Sequence, residues 1–171
     1  VILSVIVATT LFACGTKSEK TNTTATASYP AEATGYNIDS SANITALKKL
    51  NATEMDAYVV AAKAAYIDTV VLFDNGKKQT LAENLTNIPL LKSKGITVHT
   101  DKYDAIWETV KNEVDGYGVK NYVFAYQHVT FSKGDKKVTV VVFQVDAFNA
   151  AGKIVREWNV YNAYELAELF K

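Results

Sequence analysis

VKNYVFAYQHVTFSKGDKKVTVVVFQVDAFNAAGKIVREWNVYN, residues 119–162, decides the fold. Apolar, aromatic and β-branched residues crowd three runs within it, 119–131, 137–149 and 153–161, as in strands half buried on a sheet. The gaps between them, Ser132-Lys133-Gly134-Asp135-Lys136 and Ala150-Ala151-Gly152, have the length and glycine content of hairpin turns. The stretch predicts a three-stranded antiparallel meander that supplies the core.

Side-chain alternation places Val138, Val140, Val142, Gln144, Asp146 and Phe148 on one face of the middle strand. Two parities stay open, because a single bulge exchanges the faces of a strand. In one, Gln144 and Asp146 enter an apolar pocket, where desolvation favours a neutral carboxyl and readies it for proton transfer. In the other, Phe143 and Val145 face the core and Asp146 is solvated. Tyr122, Phe124, Tyr126, His128 and Thr130 share a face of the first strand, and Arg156, Trp158, Val160 and Asn162 share one of the last.

Working outward, Asn162 with Glu165 caps a closing helix over 163–170. Upstream, 96–99 and 103–110 read as two arms of one strand, bulged or bent at Thr100-Asp101-Lys102, with Tyr103 and Trp107 on a common face. Thr80-Leu81-Ala82-Glu83 is a capping box for a helix that carries Leu81, Leu85, Ile88 and Leu91 and stops at Gly95. Pro89 should kink or split that helix near Asn87. Residues 69–73 read as a short strand closed by the turn Asp74-Asn75-Gly76. Before it, Ser40 or Ser41 caps a helix with Ile44, Leu47 and Leu50 on one side. A second helix, opening at Thr53-Glu54-Met55-Asp56, places Met55, Tyr58, Val59, Ala62 and Tyr66 on its buried stripe.

The N-terminal region has a different character. Residues 1–13 are apolar or small and uncharged, too short a run to cross a bilayer as a helix but suited to the apolar part of a secretory signal. Leu11-Phe12-Ala13-Cys14 resembles the lipobox of bacterial lipoproteins, which implies cleavage before Cys14 and a lipid on its thiol. No initiator Met or basic flank precedes the run, as in a chain whose start lies before Val1. Residues 14–38, rich in Thr, Ala, Ser and Lys, read as a tether, and 39–171 as the folded domain. The expected location is the bacterial cell envelope, facing the periplasm or the cell surface.

Eighteen basic residues balance eighteen acidic ones, so no bulk field favours nucleic acid. Two histidines and one cysteine give no metal-ligand spacing. Neither a nucleophile elbow nor a glycine-rich phosphate loop is present, and no cofactor is implied.

Helices first, the turn Phe73-Asp74-Asn75-Gly76, a capped helix and a closing meander resemble the nuclear transport factor 2-like superfamily, in particular its SnoaL-like polyketide cyclase branch. The local match lies in Gln144-Val145-Asp146-Ala147-Phe148, Gly152-Lys153-Ile154-Val155-Arg156-Glu157-Trp158 and Tyr161-Asn162, and the resemblance spans roughly 43–171. It implies an α+β cone, with helices over the concave face of a curved antiparallel sheet and a pocket at the wide end. It also implies one of many activities, since isomerases, dehydratases, cyclases, binding modules and assembly domains share this fold. Homodimers formed through the sheet are common among such proteins.

Within that frame, Asp146 is the first candidate base, Asp74 the second, and His128 a partner in proton transfer. Tyr66, Tyr103, Trp107, Tyr126, Gln144 and Trp158 are the candidate ligand-lining residues. Each has a plain alternative: a strand's aromatic stripe is commonly core, and an Asp-Asn-Gly aspartate commonly bonds its own backbone. Phe73 stands where related sequences often carry a histidine beside the aspartate. Two functions follow. One is a lipid-anchored envelope protein that holds a small apolar or amphipathic ligand, or a protein partner, without clear catalysis. The other is a proton-transfer enzyme of the cyclase, isomerase or dehydratase type. The anchor and Phe73 favour the first.

Overall fold

The computed structural model describes residues 34–170, with the side chains of 168 and 170 left aside. The leader over 1–13, Cys14 and most of the span 14–38 lie outside the described residues. The last part of that span is a strand, β1 (Gly35–Ile38), which pairs with residues 108–111. Its brevity at the end of a Thr- and Ala-rich span hid it, and backbone proximity reveals it: a Cβ on Gly35 would lie 2.4 Å from the Val110 carbonyl oxygen, so only glycine fits this approach.

Ser41 opens α1 (Ala42–Asn51), its hydroxyl accepting from the Ile44 N–H at 3.0 Å, and the helix buries Ile44, Leu47 and Leu50. The next helix, α2 (Met55–Ala65), ends one residue before Tyr66, whose extended backbone (φ −92°, ψ 158°) begins β2 (Tyr66–Asp74). Tyr66 therefore leaves the helical stripe on which the spacing placed it, because the β-branched run after it draws the chain into the sheet. The turn at Asn75 (φ 46°) and Gly76 (φ 82°) has two positive φ angles in succession, the geometry of a tight hairpin. It returns the chain along β3 (Lys77–Thr80), a lysine-bearing edge strand that hydrophobic patterning could not show.

The capping box at Thr80 and Glu83 forms, and the helix after it divides at Thr86 into α3 (Leu81–Leu85) and α4 (Asn87–Ser93). Pro89 thereby falls in the first turn of α4, where its missing N–H costs nothing. β4 (Ile96–Lys111) follows as one long strand whose register shifts at 100–102 and again at 103–105. The meander comprises β5 (Asn121–Lys133), β6 (Lys136–Phe148) and β7 (Ile154–Val160). A 3₁₀ turn, Ala163–Leu166, capped by Asn162, leads into α5 (Ala167–Phe170).

The strands form one curved, unclosed sheet in the order β1-β4-β5-β6-β7-β2-β3, antiparallel except where β2 runs beside β7. Helices α1 and α2 pack on the inner face through Leu47, Ala62, Val123, Ala125, Phe148 and Ile154, and full burial of a residue such as Leu47 stabilises by about 1.5–3 kcal/mol. A second apolar cluster, Val129, Val140, Val142 and Leu166, closes the other end of the same face under the C-terminal turn. Among the described residues, no helix is long and apolar enough to cross a membrane.

Candidate functional site

Between the two clusters lies a cavity of about 480 Å³, within the usual range for a small-molecule pocket. Strand alternation selects its walls: Gln127, Val129 and Phe131 from β5, Val142 and Gln144 from β6, Glu157 and Asn159 from β7. Ile88 and Leu91 of α4 and Leu166 of the closing turn complete an apolar side. Asn51, Tyr58, Asp74 and Tyr161 join the strand amides and Glu157 on a polar side. No Lys, Arg or His lines the cavity among the described residues.

Behind the polar wall is a carboxyl pair. Asp146 and Glu157 are direct cross-strand partners of β6 and β7, with exposures of 0% and 6%. Burial, then the charge of Glu157, pushes the Asp146 carboxyl well above its usual range, and burial raises Glu157 too. Among the described residues no hydrogen bond reaches either Asp146 oxygen, whereas Glu157 accepts from the Tyr66 hydroxyl and from the Asn159 amide at 2.6 Å. This division assigns the proton: Asp146 is the neutral acid, able to donate to Glu157, and Glu157 carries the charge. Burial also raises the phenols of Tyr58, beside Tyr66, and of Tyr66 itself, so both stay neutral donors.

An amide cluster forms the adjoining wall. Asn51, the last residue of α1, donates to Gln144 at 2.9 Å and Gln127 at 3.1 Å, and Gln127 donates to Gln144 at 2.6 Å. These bonds tie the helix end to two strands and satisfy buried polar groups. On the far side Tyr161 donates to Asp74 at 3.2 Å, and burial with the nearby Asp74 charge pushes its phenol up to about 12.

The structure brings together Asp146, Gln144, Asp74 and Tyr66 of the sequence candidates, and Tyr103 lies on the same inner face with its hydroxyl buried. It separates the others. His128 lies on the outer face, 2.6 Å from Asp104, too remote to partner Asp146. Tyr126 is 42% exposed on that face and packs on Phe143, Trp107 stacks on Phe124 at 5.2 Å, and Trp158 stacks on Phe73 at 5.9 Å. They form an outer aromatic strip rather than a ligand wall. The shift between Tyr103 and Ala105 explains why Tyr103 and Trp107 part company, since one extra residue reverses the alternation.

Glu157, Tyr58, Asn51, Gln127, Asn159 and Tyr161 escaped the sequence reading as site residues. For Glu157 the turn alone misleads: counting back from the Phe148–Ile154 pair places Arg156 opposite Asp146, and the register shift between Ala147 and Phe148 brings Glu157 there instead. No group of His, Cys, Asp and Glu that could hold a metal ion occurs among the described residues.

No protein-family model and no curated protein sequence matches the chain. Solved structures do. An LEH-like epoxide hydrolase of M. tuberculosis superposes with a TM-score of 0.54 at 15% identity, over 74% of this chain and 87% of that one. An NTF2-like protein of unknown function from Burkholderia pseudomallei gives 0.52 at 12% identity, over 76% and 98%. A SnoaL-like polyketide cyclase from Jannaschia sp. gives 0.52 at 10% identity, over 77% and 96%. The helix-covered, bent sheet thus defines the class, an α+β cone around a pocket. The fold is the nuclear transport factor 2-like fold, shared with SnoaL-like polyketide cyclases.

Proposed function

We propose that the chain binds a small amphipathic molecule in the cone cavity. One observation carries this reading: the cavity of about 480 Å³ is apolar on one side and holds Glu157, Asn159, Gln144 and Tyr161 on the other. A filled cone would have favoured a purely structural role. Native mass spectrometry of the protein from its own host tests it. A co-purifying small molecule is expected, and Val142→Phe, which fills the cavity from β6, should abolish its retention. Equal retention by the variant would place the ligand elsewhere and refute the reading.

The Asp146–Glu157 pair favours a second reading, proton-transfer catalysis. Glu157 would take a proton from a bound substrate while the Tyr58 phenol donates to the charge that develops. Glu157→Gln would then remove turnover while leaving ligand retention in place.

The outer aromatic strip supports pairing of two copies through the sheet, since Tyr126, Val141 and Val160 are 42%, 48% and 57% exposed there. The Leu11-Phe12-Ala13-Cys14 motif supports a lipid on Cys14 and attachment to the bacterial envelope. Intact-mass measurement of protein from its host tests the anchor, which predicts diacylglycerol or triacyl mass on a chain beginning at Cys14.

A further inference from the structure

We infer that the cavity selects cationic amphiphiles, molecules with an apolar body and a protonated amine, over neutral ones and excludes anions. The inference rests on the ligand-binding reading above and specifies its ligand class. Two carboxyl groups, Glu157 and Asp74, line the polar side, while no lysine, arginine or histidine among the described residues lines any part of the cavity. Asp146, fully buried, lies behind Glu157 as its cross-strand partner. The wall is therefore rich in acceptors and lacks a counter-charge.

Five of the donors around the carboxyls and Gln144 are already committed. Tyr66 and Asn159 donate to Glu157, Tyr161 donates to Asp74, and Asn51 and Gln127 donate to Gln144. An incoming carboxylate or phosphate would meet like charge on that wall, with no cation beside it. An ammonium brings donors that the wall can accept, and it offsets a negative charge held where water is scarce. The apolar side formed by Ile88, Leu91, Val129 and Val142 takes the rest of the molecule.

Titration calorimetry with the full chain at neutral pH tests this with three probes of equal length: octylamine, 1-octanol and octanoate. Octylamine should bind at least about tenfold more tightly than 1-octanol, and octanoate should not bind. Asp74→Asn and Glu157→Gln, made separately, should each reduce the amine-to-alcohol ratio by about threefold or more. Should Glu157→Gln fail to fold, Asp74→Asn, on the cavity rim strand β2, still decides the matter. Octanoate binding as tightly as octylamine overturns the inference, as does a ratio unchanged in the variants. Equal binding of amine and alcohol leaves the binding reading intact and removes only the charge preference. Binding of none of the three removes both.

Discussion

Asp146 and Glu157 face each other across neighbouring antiparallel strands with both carboxyls buried, and a single proton between them is the arrangement that burial permits. Two ionised carboxyls at this separation from water would be costly, so the folded chain retains a proton that the unfolded chain loses in the ordinary carboxyl range.

The pH dependence of stability follows. Burial raises both folded-state pKa values above the unfolded ones, so stability is fully present below about pH 4 and is lost as pH rises through the folded values. Asp146→Asn removes most of that slope and should stabilise the protein by roughly 1–3 kcal/mol at pH 8, with little change at pH 4. Urea unfolding across this range measures it. Equal slopes in wild type and variant would show that the pair does not share a proton.

Tyr66 anchors the charged member of the pair through its hydroxyl. Tyr66→Phe keeps the ring and deletes the donor, which should cost about 1–3 kcal/mol at neutral pH and less in acid, where Glu157 is protonated. Comparison of denaturant midpoints at the two pH values checks the sign. A loss independent of pH would mean that only packing had changed.

Asn51 bridges the end of α1 to β5 and β6 through Gln127 and Gln144. Asn51→Ala should destabilise by about 1–2 kcal/mol and loosen the helix end, seen as faster amide exchange over the last turn of α1. Leu47, deeper in the same helix, should keep its protection.

Gly35 lies against the Val110 carbonyl, and Gly35→Ala introduces a methyl where 2.4 Å is free. Strand β1 should detach, with amide exchange rising at 35–38 and 108–111 and a stability loss of about 1–3 kcal/mol. An unchanged exchange pattern would show that the edge strand adjusts without separating.

The outer face makes a prediction of its own. Light scattering behind size exclusion should find a dimer, and Tyr126→Lys combined with Val141→Lys should return a monomer of unchanged fold by placing like charges on the paired strip. A monomer at every concentration in the wild type would remove this role.

Much of the architecture was legible because local rules and tertiary demands agree along most of the chain. The three strands of the meander, the Ser41 cap, the Thr80–Glu83 box and the division of the helix before Pro89 all follow from nearest-neighbour chemistry. The choice between the two parities of β6 is resolved in favour of Val140, Val142, Gln144 and Asp146 inside. Strands β1 and β3 escaped because both are four-residue edge strands, and pairing rather than burial defines them.

The sequence by itself determined the class of fold and, in the unbulged strands β5 and β6, which residues share a face, since alternation, caps and turn residues are properties of neighbours along the chain. Only the tertiary structure decided which faces meet. The bulge in β4 sent Trp107 outward and kept Tyr103 inward, and the register of β7 placed Glu157, not His128 or Trp158, beside Asp146. Site chemistry depends on contacts between residues far apart in sequence, and a shift of a single residue in any strand reassigns them all.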